Sequence, residues 1–250
     1  MKRIFFMISI GLAALVISSS NIFAQVDSGG DNEKLSFNLD VSSGFVWRGL
    51  TLNASPVIQP TLTFTSGIFS VGAWASTPFS SGDYQEFDIF ASLQLSPFLS
   101  IGITDYYAYG FNSWIPNSYF NFKKEETFHA LDFQLMFEGG DNFPLKTMVS
   151  TIIGGDDLRF KDGELRRNFS TYIELGYGNT TKGLDWEIFT GFVPMESGFY
   201  EIDGGAIINM GFGVTKSFVI TPTYSLPLSL KLSVNPAYES VFFAASIALF

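Results

Sequence analysis

Polar and apolar positions alternate with a period of two along most of this chain. From Leu35 to Arg48 the odd positions read Leu35, Phe37, Leu39, Val41, Ser43, Phe45 and Trp47. The even positions read Ser36, Asn38, Asp40, Ser42, Gly44, Val46 and Arg48. Neighbouring side chains of a strand point to opposite faces, so one face of this segment is apolar and the other small and polar. Its length exceeds that of an ordinary soluble strand and suits one that crosses a bilayer at a tilt.

The pattern recurs. Ile58, Leu62 and Phe64 oppose Gln59, Thr61 and Thr63, and Phe87, Ile89, Ala91 and Leu93 oppose Glu86, Asp88 and Ser92. Leu131, Phe133, Leu135 and Phe137 oppose Asp132 and Gln134. Further runs are carried by Phe169 to Tyr177, Leu184 to Phe192, Ile208 to Val214 and Leu228 to Val234. Phe69 to Ser76, Leu99 to Tyr107 and Leu145 to Ile153 match less well. The last run, Val241 to Phe250, is apolar on both faces, which leaves its facing open. About twelve strands follow, an even number that returns the chain to the side where it began. Short links carrying Gly, Pro, Asn, Ser or Thr alternate with a set that includes the longest ones: Ala108 to Glu126, Gly154 to Arg167 and Pro194 to Gly205. The predicted fold is all-β: a closed, antiparallel, up-and-down transmembrane barrel over residues 35–250, with the long links outside. A secreted β-sandwich or lipocalin-like barrel would also alternate, with shorter strands and its apolar face inward.

The N-terminus fits export. Lys2 and Arg3 precede an apolar run from Ile4 to Ile17, followed by three serines and Ile22-Phe23-Ala24. A charged start, an apolar middle and a small residue before the cut mark a secretory signal, expected here over residues 1–24. The apolar run is shorter than a spanning helix needs. Residues 25–34 are then a short periplasmic segment. With no cysteine, neither a Cys-linked lipid anchor nor a disulfide is available.

Composition sharpens this. Aromatic residues make up 17% of the chain, yet no later apolar run is long enough for a spanning helix. A barrel resolves the conflict by turning its aromatics to lipid. Removing Lys2 and Arg3 leaves 12 of 14 basic residues against all 24 acidic ones, a net −12. Nucleic acid is a poor partner for such a chain, because phosphate contacts need Lys and Arg.

The candidate chemistry lies in the lumen. Inward register holds the acids Asp40, Glu86, Asp88, Asp132, Glu174, Asp185 and Glu187 and the bases Arg48, Lys146 and Lys231. Fixed charges of one sign enrich the opposite sign in a wet pore, so this excess of acid implies a weak preference for cations. Inward aromatics at Trp74, Phe90, Tyr172 and Phe189 point the other way, to a narrow or closed lumen. Arg48 is expected inward at the outer end of the first strand, pairing with a carboxylate to order an outer loop or lining a constriction. Trp47, Tyr107, Trp186 and Phe218 are candidates for interfacial aromatic girdles, and Asp105, His129 and Lys216 are the titratable residues in outward register. His129, the one histidine, falls near the outer rim, where only Ser118 or Ser170 offers a nucleophile; no enzyme activity is expected. In the Gly154–Glu164 link, Asp156, Asp157, Asp162 and Glu164 are weak calcium candidates without EF-hand spacing. No metal or other cofactor is expected.

The stretch Phe45 to Ser76, FVWRGLTLNASPVIQPTLTFTSGIFSVGAWAS, resembles the TorF-like porins, a family of outer-membrane barrels of Gram-negative bacteria. The matching elements are Val46-Trp47-Arg48-Gly49, the Pro-x-Ile-Gln of Pro56 to Gln59, and the Gly-x-Trp-Ala-Ser of Gly72 to Ser76. The C-terminal stretch from Lys216, with Ser225-Leu226-Pro227 and Asn235-Pro236, is similar to that family's last two strands. The resemblance implies a barrel in the cell outer membrane and carries over no functional residues. The expected function is passive diffusion of small polar solutes or cations. The alternative is a non-conducting barrel whose outer loops bind a partner or solute. Either implies outer-membrane lipids and the barrel assembly machinery as partners.

Overall fold

The computed structural model describes residues 24–26, 33–80, 84–109, 118–124, 126–140 and 143–249. The expected signal through residue 23, residues 27–32 of the expected 25–34 segment, the middle of the Ala108–Glu126 link and Phe250 lie outside them. In chain order the strands are β1 (Ala24–Val26), β2 (Glu33–Ser42), β3 (Phe45–Trp47), β4 (Leu50–Asn53), β5 (Val57–Ser66) and β6 (Phe69–Pro78). Then come β7 (Gln85–Ser96), β8 (Leu99–Tyr109), β9 (His129–Glu138), β10 (Leu145–Gly155), β11 (Leu158–Lys161) and β12 (Glu164–Arg167). The last are β13 (Thr171–Thr181), β14 (Leu184–Val193), β15 (Ala206–Thr221), β16 (Tyr224–Asn235) and β17 (Ser240–Ala248). No helix occurs among the described residues.

Twelve strands (β2, β5 to β10 and β13 to β17) form one closed antiparallel wall in which each pairs with the next along the chain. Closure is at β2. One of its edges pairs throughout with β5, from Glu33 opposite Ser66 to Ser42 opposite Val57. The other receives β17 through Ser246–Ser42, Ile247–Val41 and Ala248–Asp40. Lower on that edge, Ala24, Gln25 and Val26 of β1 oppose Phe37, Ser36 and Leu35, so β1 continues the line of β17.

The apolar face of the wall points out. Phe133 and Leu135 on β9 are each 41% exposed, and Phe243 on β17 is 65% exposed. Ile89, Ile103, Leu175, Ile188, Phe212 and Leu232 continue this belt around the barrel. A sandwich or lipocalin-like barrel would hide these side chains; an exposed apolar band around a closed wall fits a β-barrel membrane protein. On β17, Val241 and Phe243 join the belt while Phe242 faces inward opposite buried Ser233, which settles the facing of the last strand.

The first strand is shorter than the alternation predicts. β2 stops at Ser42, whose hydroxyl donates to the Gly44 carbonyl at 2.7 Å, and the chain then re-forms as the β3–β4 hairpin. Arg48 (φ 44°) and Gly49 (φ 77°) make its two-residue turn, the left-handed pair of a tight hairpin. A period-two pattern cannot tell a strand that continues from one that breaks and re-forms in phase, so Arg48 lies at a hairpin tip and not at the end of a wall strand. Ile208 also departs from its expected outward facing. It is the extra residue of a bulge between Gly191–Asn209 and Phe192–Ile207, and it turns inward and is fully buried.

Candidate functional site: a plugged lumen

The β3–β4 hairpin lies across the lumen. At its tip the Arg48 guanidinium reaches Asp132 on β9, while the Gly49 carbonyl accepts from Asn235 Nδ2 on β16 at 2.9 Å. Those strands stand well apart around the wall, so only a segment crossing the interior can touch both. Gly49 also packs onto the backbone of Ile208, with no room for a side chain between them. A second segment enters from the link between β14 and β15, where a bridge between Ser197 and Ile202 folds Phe199, Tyr200 and Ile202 inward. Together with Phe45, Trp47, Trp74, Tyr84, Tyr106 and Tyr172 these residues fill the half of the lumen at the end of the long links, here called the outer half. Trp47 and Tyr200 stack with ring centres 5.7 Å apart. Trp47 is therefore buried in the plug, not in an interfacial girdle.

One ion pair lies at the centre of this apolar mass. Arg48 Nη2 stands 3.1 Å from Asp132 Oδ2, with both side chains fully buried. Asp132 also accepts from Tyr106 Oη at 3.1 Å, Ser150 Oγ at 2.6 Å and Gln134 Nε2 at 3.1 Å. Arg48 donates its other terminal nitrogen to the Tyr200 hydroxyl, whose pKa burial pushes above the usual phenol range. The guanidinium lies 4.3 Å from the Trp47 ring centre and 4.7 Å from that of Tyr172. A buried charge is tolerated when it is paired and its remaining donors are used, and here a carboxylate, a hydroxyl and two π faces meet one cation. Satisfaction is incomplete: Trp47 Nε1, Arg48 Nε and Asp88 Oδ1 are buried without a hydrogen-bond partner among the described residues. Each such group costs about 1–3 kcal/mol, which offsets part of the packing of the plug.

Glu86 and Asp88 also lie buried in this half, Glu86 accepting from the Tyr84 hydroxyl at 2.6 Å. Glu174 accepts from Tyr172 Oη and, at 3.0 Å, from Asn209 Nδ2; Asn209 in turn accepts from Ser233 Oγ. The other charges lie towards the opposite end. Lys146 pairs with Glu138 at 3.2 Å, Lys231 sits 4.3 Å from the Phe189 ring centre, Asp185 accepts from Thr180, Glu187 packs against Gly213, and half-buried Asp40 accepts from Asn38 at 2.6 Å. The ten candidate residues are thus split. Arg48 and Asp132 bond directly, with Glu86 and Asp88 buried in the same half, and the rest are spread along the wall.

The inner half differs in kind. Its inward positions include Ser92, Ser100, Gly102, Gly176, Gly213, Thr215 and Ser229, all half-buried or paired with half-buried neighbours. Phe90 and Phe189, expected to narrow the lumen, lie over Gly72 and Gly211 of the adjacent strands, where a Cβ would meet their rings at 2.4 and 2.6 Å. The glycines let these rings lie along the wall, with Phe90 also packed against the plug, where the closure is concentrated.

At the rim, the calcium candidates do not converge. Asp157 is buried and accepts from the Ser170 backbone at 2.9 Å and the Ser170 hydroxyl at 2.7 Å, whereas Asp162 and Glu164 pair with Arg166 near the turn of the β11–β12 hairpin. Among the described residues no three His, Cys, Asp or Glu side chains are grouped to hold a metal. Burial, and then the charge of Asp157, push the Asp156 carboxyl up to about 6. His129 faces outward but is covered. Its Nδ1 meets Asp105 at 2.9 Å, and its Nε2 is bonded to the Tyr119 carbonyl, which leaves neither nitrogen free for a serine.

Sequence reading missed Tyr200 and the partners Tyr106, Ser150 and Gln134. The last three sit at ordinary inward positions, and the cluster Phe199-Tyr200 in a link was the available signal for the first. No protein-family model matches the chain, and no curated protein matches it.

Proposed function

We propose that this protein is an exported outer-membrane barrel of porin-like type, closed at rest by the β3–β4 hairpin. When the hairpin leaves the lumen it passes small polar solutes or ions with a weak preference for cations. The observation that carries this reading is the contrast between the two halves of the lumen. The inner half is lined with small polar and charged groups and holds its rings against the wall, as a conduit would. The outer half is stopped by a separate hairpin packed against the folded 197–202 part of the β14–β15 link, the hairpin anchored at its tip by one ion pair and carrying unsatisfied polar atoms. The cation preference rests on the accessible acids Glu174, Asp185 and Glu187 against Lys231, with Lys146 offset by Glu138. The reading includes removal of a signal over residues 1–24, insertion by the barrel assembly machinery, lipid as the outer solvent, and no catalytic step. It also accepts the TorF-like resemblance, in which Val46-Trp47-Arg48-Gly49 becomes the inner end of the stopper.

Planar-bilayer recording tests it. The intact protein gives few or no current steps, and deletion of Phe45–Asn53 gives sustained steps with reversal potentials shifted towards cations. A deletion variant that folds and stays silent would overturn the channel and leave the non-conducting barrel whose outer loops bind a partner or solute.

A further inference from the structure

Residues 118–124 of the link between β8 and β9 turn down against the outside of the wall. Phe87, Tyr107 and His129 all stand in outward register, above the belt residues Ile89, Ile103, Leu131 and Phe133. Outward residues at the rim should be open, yet Tyr107 is 2% exposed and His129 3%. Segment 118–122 covers them. The Tyr119 ring lies 4.9 Å from both Tyr107 and His129, and 6.0 Å from Phe87, while Phe122 stacks on His129 at 4.4 Å. The Tyr107 hydroxyl accepts the Ser118 backbone N–H at 2.9 Å. The imidazole fastens the segment to the wall. A carbonyl can only accept, so Nε2 carries a hydrogen to Tyr119 while Nδ1 faces Asp105.

What this ledge presents is unusual for a solvated loop. Phe120 is 87% exposed and Phe122 61%, and Lys123 and Lys124 follow them directly. An open groove of about 720 Å³ is lined by Ser118, Tyr119, Phe120, Asn121 and Lys123. Among the described residues, Lys123 is engaged only by an exposed pair with Glu126 at 3.4 Å, and Lys124 only by the Leu165 carbonyl at 3.0 Å.

We propose that residues 118–124 form a binding ledge for an anionic, phosphate-bearing lipid of the surrounding leaflet. The acyl chain runs down over Phe120 and Phe122 onto the belt of β7 to β9, and the phosphate is met by Lys123 and Lys124. Three observations choose this occupant: the ledge is continuous with the apolar belt, it lies at the belt's upper edge, and it sets two adjacent cations there in a strongly acidic chain. The inference rests on the membrane-spanning reading.

The chain has no cysteine, so single cysteines placed at Phe120 and, as a reference, at Leu135 in the belt can carry an environment-sensitive dye. The folded barrel is reconstituted in phosphatidylcholine vesicles with or without phosphatidylglycerol, in which one or the other lipid is brominated. Both dyes should be quenched, and the dye at Phe120 should be quenched more by brominated phosphatidylglycerol than its mole fraction predicts. In Lys123→Ser/Lys124→Ser that excess should fall about fivefold or more. Quenching at Leu135 but not at Phe120 overturns the ledge alone; quenching at neither overturns the membrane reading. Quenching at Phe120 with no lipid preference, or a preference unchanged by the lysine substitutions, overturns the phosphate contact.

Discussion

A Cβ at Gly49 would stand 1.8 Å from the Ile208 carbonyl oxygen, and the residue's φ of 77° lies in the left-handed region. Gly49→Ala therefore meets a clash with backbone on top of a conformational cost of about 1–2 kcal/mol. The easiest relief is to lift the hairpin tip, so bilayer currents should appear in this variant while the thermal unfolding of the wall changes little. Arg48→Ala acts through charge. It leaves Asp132 buried and unpaired, a loss of about 3–5 kcal/mol that should show as lower thermal stability and a leak together. Asp156 gives a pH signature. Its folded pKa of about 6 lies above the ordinary carboxylate value of about 3.9. The folded protein thus holds that proton more tightly, and stability from this group rises as pH falls from about 6 towards 4 and is lost above 6. Asp156→Asn should be more stable than wild type at pH 7.5, and less of its stability should be gained on acidification; melting curves at pH 5 and 7.5 decide. The charge of Arg48 and its need for a carboxylate were legible from residue type. That Asp132 is the partner was not, because the pairing joins residues far apart in sequence across an interior whose contents alternation does not describe.

At the scale of elements, His129 is the fastener of the 118–124 ledge. His129→Ala removes a bond to the Tyr119 carbonyl, a contact with Asp105 and the ring on which Phe122 stacks. Trypsin should then cut after Lys123 or Lys124 several times faster in the folded barrel, with the wall strands still protected; an unchanged cutting rate would remove His129 from this role. The wall strands were legible because a barrel repeats one simple rule, polar in and apolar out, with turns at fixed intervals. The rule fails where the backbone departs from a uniform ladder: at the Ser43–Gly44 break, at the Ile208 bulge, and in links that fold back onto the inside or outside of the wall. Such departures depend on tertiary packing and leave the local pattern nearly unchanged.

For the whole molecule, the two faces of the wall should respond oppositely to charge. Leu135→Arg places a cation in the exposed belt and should cost about 2–4 kcal/mol in lipid. Ser92→Arg, at an inward position of the inner half, should cost far less and should instead weaken any cation preference of the opened barrel. Urea unfolding in vesicles and reversal potentials of the hairpin-deleted form measure the two effects. The arrangement of the stopper also limits how it can move. Ser43-Gly44 joins it to β2 and Ala54-Ser55-Pro56 joins it to β5, and these strands are direct neighbours in the wall. Both leashes thus start from one side of the rim, and the hairpin can swing only as a flap about that edge. Its nine residues fold into two arms of about 13–17 Å each at the rise of an extended strand. That stroke carries the Arg48-Gly49 tip from the far wall up to the mouth in a single arc. Such a flap has no stable halfway stop once the tip is free, so opening should appear as abrupt, full-sized current steps.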